Sequence, residues 1–432
     1  MVGAGIVGLA TTLALSQRGT KVTLLRPGRA GQIPDTRESA QKAASVDAPF
    51  DRRVYAIAPA SQQFLDELGI WSALPAERIA PVYDMRVYPS ARAKARQLHL
   101  SAYEAGCEAL AWIVESQVLM TALEQALGFA RVKTVVGTVA SIESDDDPLL
   151  TTVTCDDGQQ LNAKLVVAAD GATSPVRGLG GIAVTEKSYG QKALVAALAL
   201  EHAHGDSAWQ WFGDHGVLAV LPMPCHEQMQ FADRHPDLPR DTGGHRASLV
   251  WSTQAEYAEQ MLSRPPAELS VAITALAGQQ LGQITALQSP VAFDLRLVRA
   301  ESVIGQRLAL VGDAAHVIHP LAGQGLNLGL ADAQCLAAVL GDARQQYRKA
   351  NFDAGASLLL RRYRRRRAEP VAAMQQVTDW LSRLFDPTQT LLPDAPELPR
   401  WPIDWIRDTG WSIAADSSFL RQQFVRYATQ KS

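Results

Sequence analysis

The residues best placed to do chemistry lie in Leu308-Ala-Leu-Val-Gly-Asp-Ala-Ala-His-Val-Ile-His-Pro-Leu-Ala-Gly-Gln-Gly-Leu-Asn-Leu-Gly-Leu330. A short apolar run, Leu308 to Val311, reads as a buried strand. It ends at Gly312-Asp313 and passes through Pro320 and the glycines Gly323, Gly325 and Gly329. An Ala/Leu-rich helical pattern follows, through Leu330, Cys335 and Leu340, with Leu326 and Asn327 in its first turn. A strand thus delivers one carboxylate, and a helix N-terminus lies within reach. A carboxylate can hold a polyhydroxyl chain, and helix amides can hold an electron-rich ring.

Gly3-Ala-Gly5-Ile-Val-Gly8 supplies the other half. It has GxGxxG spacing and opens an apolar helix, Leu9 to Leu15, and a second strand follows at Val22 to Leu25. Such glycines allow a tight turn, close approach of a pyrophosphate and close packing of helix on strand. The alternative is a plain Gly-rich turn; the strand following at the expected distance favours a dinucleotide site. Two features depart from the pattern. Only Met1 and Val2 precede Gly3, where a first strand of about four to six residues is usual. The expectation is that this strand is frayed or starts upstream. The second strand should also end in an acid for a ribose 2′-hydroxyl, yet Arg26 stands there. An arginine suits a 2′-phosphate, hence NADP, but the Gly312-Asp313 segment fits a flavin better.

Lys164-Leu-Val-Val-Ala-Ala-Asp170-Gly171-Ala-Thr-Ser174-Pro-Val-Arg177 is another buried strand ending in Asp-Gly, with Ser174 able to cap a following helix. The three segments together resemble the class A flavoprotein monooxygenases, whose hallmarks are a GxGxxG, a central Asp-Gly and a later Gly-Asp in that order. Phe50-Asp-Arg-Arg53-Val-Tyr-Ala-Ile-Ala-Pro-Ala-Ser61, Ile113-Val-Glu-Ser116, Gly216 to Met223, Ser248 to Trp251 and His319 to Gly329 narrow the likeness to the ubiquinone-biosynthesis hydroxylases. Ile406 to Trp411 and Phe419-Leu-Arg also fit, so the likeness spans nearly the whole chain.

The resemblance implies an α/β fold. A Rossmann-type FAD-binding domain (residues 1–75, 106–180 and 291–345) would carry an antiparallel-sheet substrate domain (76–105 and 181–290) and a helical region (346–432). It implies FAD, with NAD(P)H and O2 as co-substrates, and oxygen added at flavin C4a before transfer to the ring. NAD(P)H would dock without a domain of its own, as Gly178-Leu-Gly180-Gly181 lacks the spacing of a second dinucleotide motif. By resemblance Asp170 lies near the pyrophosphate with Arg177 nearby, and Arg53 near the flavin or its phosphates. For Arg53 a solvated salt bridge is an equal reading. Ser116 and Gln117 stand at a helix start where relatives often carry a cofactor-touching amide; Ser116 as a plain N-cap is the other reading. The cofactor-binding set is therefore Gly3, Gly5, Gly8, Arg53, Gln117, Asp170, Arg177, Gly312, Asp313, Pro320, Gly323, Gly325, Leu326 and Asn327. No general base stands out. His316 and His319 form HxxH without a third ligand at suitable spacing, so no metal is expected. His319 is expected to line the flavin pocket by its backbone.

Around this site, 432 residues suit two or three domains at about 150 each. A 47% hydrophobic content supports a sizeable core, and a net charge of −3 argues against a nucleic-acid partner. No apolar run reaches about 18 residues, and Cys107, Cys155, Cys225 and Cys335 lack CxxC spacing, as in a reduced cytoplasmic protein. Leu194–Leu200, Trp209–Phe212, Val217–Leu221 and Ala247–Trp251 read as an antiparallel sheet, a substrate wall on which Trp209, Trp211 and Trp251 are either lining or core. Residues 234–245 read as a loop, and a break interrupts the last helices near Pro387–Pro402. Arg361-Arg-Tyr-Arg-Arg-Arg-Arg367 reads first as a solvated helix face paired with acids such as Glu369, and second as contact with anionic lipid on the inner face of a membrane. Val377, Trp380, Leu381, Leu384 and Phe385 follow at helical spacing as an apolar face. The reading is hydroxylation of a polyprenyl phenol, with ubiquinone-biosynthesis proteins as further partners. A hydroxylase of a soluble phenol and a weakly catalytic flavin-binding scaffold stay open beside it.

Overall fold

Val2 shows how the nucleotide-binding sheet is built from almost no first strand. In the computed structural model, which describes residues 1–28, 51–88, 97–213, 215–224, 245–278, 280–318, 323–347 and 352–385, Val2 bridges Leu25 on one side and Ala168 on the other, both in parallel. Its amide donates to Val167 O at 2.8 Å and its carbonyl accepts from Ala169 N at 2.8 Å. Gly3 N reaches Leu25 O at 3.0 Å. The stub is short but not frayed, because neighbours pair with both of its edges. It joins Thr23–Arg26, which is parallel to Lys133–Val136, to Val166–Ala168, which is parallel to Leu308–Leu310. Ile304–Gly305 closes that side as an antiparallel edge. The α/β class expected from sequence is the one observed.

The helix Ile6–Gln17 is apolar nearly all round, so it must be buried. Leu9, Ala10, Leu13 and Ala14 are each at most 2% exposed. A fully buried leucine contributes about 1.5–3 kcal/mol. This helix shares one core with Ser116–Phe129 and Gly325–Gln346, through Leu119, Leu123, Leu330, Ala333 and Leu336. The carboxyl ends of the parallel strands and the start of Gly325–Gln346 are thereby fixed relative to each other.

A nine-stranded sheet forms the second layer. The four strands expected there are present and antiparallel, within Val184–Leu200, His245–Gln254, Gly216–Pro222 and Ser207–Gly213. Val291–Ala300 also joins this sheet, pairing along Val184–Val195 with a bulge between Ser188 and Gln191. Its polar–apolar alternation suits a strand with one covered face, and nothing local in it marks which sheet it joins. Trp209 and Trp211 are core residues, not pocket lining. They stack with Tyr88 at centroid distances of 6.0 and 5.6 Å, on the face covered by Ala255–Ser263 and Pro266–Ala277, where Trp251 is fully buried. Ala193 and Phe293, one register position from Leu194 and Ala292, lie on the other face, where Phe293 meets Arg53.

Three strands, Val54–Ile57, Ala111–Glu115 and Ile79–Val82, form a small antiparallel sheet between these layers. Ser357–Phe385 is one long helix. The segments at 406–411 and 419–421, the break near 387–402, Cys225, and all of loop 234–245 except His245 lie outside the described residues, as do the side chains of Val377, Trp380, Leu381, Leu384 and Phe385. Cys155 is buried, whereas Cys107 and Cys335 are only half-buried. Among the described residues no helix is long and apolar enough to cross a membrane.

Candidate functional site

Gly3 and Gly8 are glycines because backbone passes where a side chain would be. A Cβ on Gly3, at φ +104°, would lie 2.2 Å from Ala169 O, and one on Gly8 would lie 2.3 Å from Gly3 O. Gly5 differs: nothing lies within 4 Å of its Cβ position. Two of the glycines thus lock strand, turn and helix together, and the third leaves open space above the helix N-terminus, as a passing pyrophosphate requires.

Gly312-Asp313 lies beside this opening, with Gly312 against Val7. The Asp313 side chain is open to solvent by surface area, yet protein crowds it on most sides, as in a crevice. That crowding raises its carboxyl above the usual aspartate range, opposed by the charges of His316, Arg53 and Arg296. No described residue hydrogen-bonds to it. The turn that carries it packs against Gly325–Gln346, where a Cβ on Gly329 would lie 3.1 Å from the Gly312 Cα. The earliest bond of that helix runs from Leu328 N to Gln324 O at 3.0 Å, so the amides of Gly325, Leu326 and Asn327 precede the intrahelical ladder. A carboxylate with no hydrogen bond from the described residues and a helix N-terminus thus come from two elements packed together.

Arg53 enters from the small sheet. Its guanidinium lies 5.4 Å from the Tyr55 ring and 5.8 Å from the Phe293 ring. Arg53 is exposed, and its guanidinium bridges Tyr55 of the small sheet and Phe293 of the nine-stranded sheet. Tyr55 is held above its ordinary pKa by burial, against the charge of Arg53 and a hydrogen bond with Ser116. Ser116 is thus engaged with Tyr55, and the cap position before its helix is Glu115. The amide of Gln117 is taken by Asp51 Oδ2 at 3.2 Å, and its side chain is exposed.

The side chains of several residues expected near the cofactor also make contacts within the protein. Asp170 accepts from Ser174 Oγ at 2.5 Å and from Val176 N at 3.0 Å, so both its oxygens fasten the Asp-Gly loop to the next helix. Arg177 is buried and donates to Ala314 O at 2.9 Å and Ala172 O at 3.0 Å, tying the Asp-Gly motif to the Gly-Asp motif. Asn327 is fully buried. It accepts from Ala58 N at 2.9 Å and donates to Ala56 O at 2.8 Å, so only its amide can face the opening. Leu326 packs into the core by its side chain. Gly323, at φ +61°, lies against Ala56. Pro320 and His319 lie outside the described residues, as does Phe50.

Asp332 is the residue that the sequence reading missed. It is 1% exposed and stands on the buried face of Gly325–Gln346. Its Oδ2 accepts from Gly312 N at 2.9 Å and bonds His316 Nε2 at 2.7 Å, and its Oδ1 accepts from Arg367 Nε at 2.6 Å. Burial alone would raise its pKa. The charges of His316 and Arg367 and the hydrogen bonds of His316 and Gly312 outweigh that and hold it below the usual range. Asp332 thereby pins the Gly312-Asp313 turn to Gly325–Gln346. The same contacts engage His316, and no group of side chains that could hold a metal exists among the described residues. They also correct the view of Arg367 as solvated. The available signal was an acid between Ala331 and Ala333 in the apolar first half of the helix, and Tyr363 and Arg367 at i, i+4.

Comparison with known proteins gives the same picture. The family model described as FAD binding domain matches residues 1–378. The 3-demethoxyubiquinol 3-hydroxylase of Escherichia coli (strain K12) is 33% identical, covering 99% of this chain and 97% of that protein. Ubiquinone hydroxylase UbiL of Rhodospirillum rubrum is 32% identical, covering 89% of this chain and 81% of its own. Among solved structures, p-nitrophenol 4-monooxygenase PnpA from Pseudomonas putida superposes with a TM-score of 0.69 at 17% identity, over 100% of this chain and 98% of that one. PqsL of P. aeruginosa in complex with 2-aminobenzoylacetate gives 0.69 at 19% identity, over 89% and 95%. These two likenesses establish the fold.

Proposed function

The chain belongs to the FAD binding domain family and, within it, to the ubiquinone-biosynthesis hydroxylases, and from that membership we propose that it is an FAD-dependent monooxygenase acting on the aromatic ring of a polyprenyl phenol. The observations that carry the reading are the open Gly5 turn, the Gly312-Asp313 turn packed against Val7 and Gly329, and the first-turn amides of Gly325–Gln346, which precede the intrahelical ladder. These groups fit FAD. Gly5 leaves room for the pyrophosphate, Asp313 can accept from ribityl hydroxyls, and the amides of Gly325, Leu326 and Asn327 favour negative charge on the ring.

Bound there, FAD supplies the chemistry that splits dioxygen between ring hydroxyl and water, with electrons from NAD(P)H. The protein's own share is placement and electrostatics. Asp332 and Arg177 hold the Gly-Asp turn from two sides, so Asp313 meets its ligand without reorganising. Arg53 places a cation between Tyr55 and Phe293, where the cofactor side meets the sheet. Phe293 offers an apolar surface to an aromatic ring, and apolar walls also exclude water.

The polyprenyl substrate is supported by the names of the two relatives above. A prenylated phenol dwells in lipid, which favours peripheral attachment. Arg361, Arg364, Arg365 and Arg366 are exposed on one helix, and Leu358, 66% exposed, precedes them. That combination supports contact with anionic headgroups. Membership of a complex of ubiquinone-biosynthesis proteins is a further proposal, drawn from the family. The division into an FAD domain and a substrate domain, now with Val291–Ala300 on the substrate side, is ours as well.

The test uses purified protein. One yellow flavin per chain and NAD(P)H oxidation stimulated by a prenylated phenol support the reading. Stimulation by short phenols alone moves the substrate to a soluble one. Protein that binds FAD without turnover of either points to a scaffold.

A further inference from the structure

The adenosine end of the dinucleotide site is rewired. About 20 residues after a GxGxxG, at the end of the second strand, a carboxylate normally accepts from the ribose 2′-hydroxyl. In this chain that position is Arg26, the last residue of Thr23–Arg26. Arg26 has no acceptor. It is not free, however. Its Nη2 donates to Glu124 Oε1 at 2.9 Å, and the two side chains are only 13% and 18% exposed. Glu124 comes from another element, Ser116–Phe129, whose Leu119, Leu123 and Leu127 pack inward. Gly137 N donates to Arg26 O at 2.9 Å, so the strand end is anchored and the side chain's reach is limited.

We propose that Glu124 takes the place of the missing strand-end acid. Resting on the FAD reading above, the Arg26–Glu124 pair is the ribose-recognition element of this site, selecting an adenosine with a free 2′-hydroxyl. Glu124 uses one oxygen on Arg26, and its second oxygen is left to accept from the ribose. The guanidinium keeps further N–H groups able to donate to ribose oxygens. The charge balance excludes the other reading of Arg26. A lone arginine would welcome a 2′-phosphate, whereas one neutralised by an adjacent carboxylate sets that phosphate against a negative charge. The site therefore takes FAD and rejects a 2′-phosphorylated dinucleotide, although it carries the arginine associated with one.

The experiment is fluorescence titration of flavin-free full-length protein with FAD and with its 2′-deoxyadenosine analogue, and competition by NADP. The wild type should bind FAD about tenfold or more tightly than the deoxy analogue, the scale of one hydrogen bond to a charged group. Glu124→Gln should bring the two affinities together, and should let NADP compete where it does not in the wild type. Arg26→Glu with Glu124→Arg, which exchanges the partners, should restore discrimination. Unchanged discrimination in Glu124→Gln, or NADP competing equally with wild type and variant, overturns the proposal while the FAD reading stands. Wild-type protein that binds no FAD overturns the FAD reading itself. Circular dichroism of each variant separates a lost fold from a lost contact.

Discussion

Replacing Asp332 by alanine tests the scaffold of the site. The carboxylate is 1% exposed and neutralises Arg367, whose side chain is 8% exposed, while also holding His316 and the Gly312 amide. Asp332→Ala leaves a guanidinium buried without its counter-charge, and removing one member of such a pair costs about 3–5 kcal/mol. The Gly312 amide, orphaned at the same time, belongs to the same cluster, so the two losses are not additive. A net loss of about 4 kcal/mol is expected. Asp332→Asn keeps an acceptor and most of the shape and should lose roughly half as much, about 2 kcal/mol. The assay is urea unfolding followed by tryptophan fluorescence, with FAD titration of whatever remains folded. Because the folded pKa of Asp332 is depressed, its stabilisation is complete above the unfolded aspartate value of about 4 and is lost as pH falls through the lower folded value. The gap between wild type and Asp332→Asn should thus narrow only in acid. An Asp332→Ala protein with the wild-type midpoint would refute the reasoning, as would a gap that closes as pH rises from 5 to 8.

Three further outcomes follow from the geometry. Gly3→Ala should give protein that neither binds FAD nor keeps wild-type stability, because the new Cβ falls 2.2 Å from Ala169 O at a positive φ; normal flavin content would contradict this. Asp313→Asn should weaken FAD binding by about tenfold to a hundredfold. The same change should stabilise the flavin-free protein at neutral pH, since a carboxyl whose pKa is raised in the folded state loses stability as pH rises through that pKa; thermal melts with and without FAD report both signs. Arg177→Ala breaks two buried bonds to carbonyls and should cost about 3 kcal/mol, with Arg177→Lys recovering part; an unchanged melting temperature counts against it.

The motifs that position backbone were legible in the sequence. Gly3, Gly8 and Gly312 announce close approach, because only glycine permits it. The apolar runs at 166–168 and 308–310 announce buried parallel strands. Residues whose roles depend on a distant partner were not legible. Asp170 and Arg177 were expected near the cofactor; the bonds of their side chains to Ser174, Val176, Ala172 and Ala314 are set by folding and carry no motif of their own. Arg367 looked like its exposed neighbours in an arginine run, although helical periodicity turns it inward with Tyr363. Asp332 carries no motif at all. The Val2 strand was underestimated because pairing on both edges, not length, makes it a strand. The pairing of Val291–Ala300 with Val184–Val195 was not legible, because strand pattern does not encode sheet membership.

The most direct test of the oxygenase assignment is isotopic. FAD-loaded protein, NAD(P)H and a prenylated phenol are incubated under ¹⁸O₂, and the product is weighed by mass spectrometry. A single labelled oxygen in the ring hydroxyl, unaffected by the isotope of the water, is the result predicted. NAD(P)H consumption with no labelled product, or label arriving from water, would contradict it.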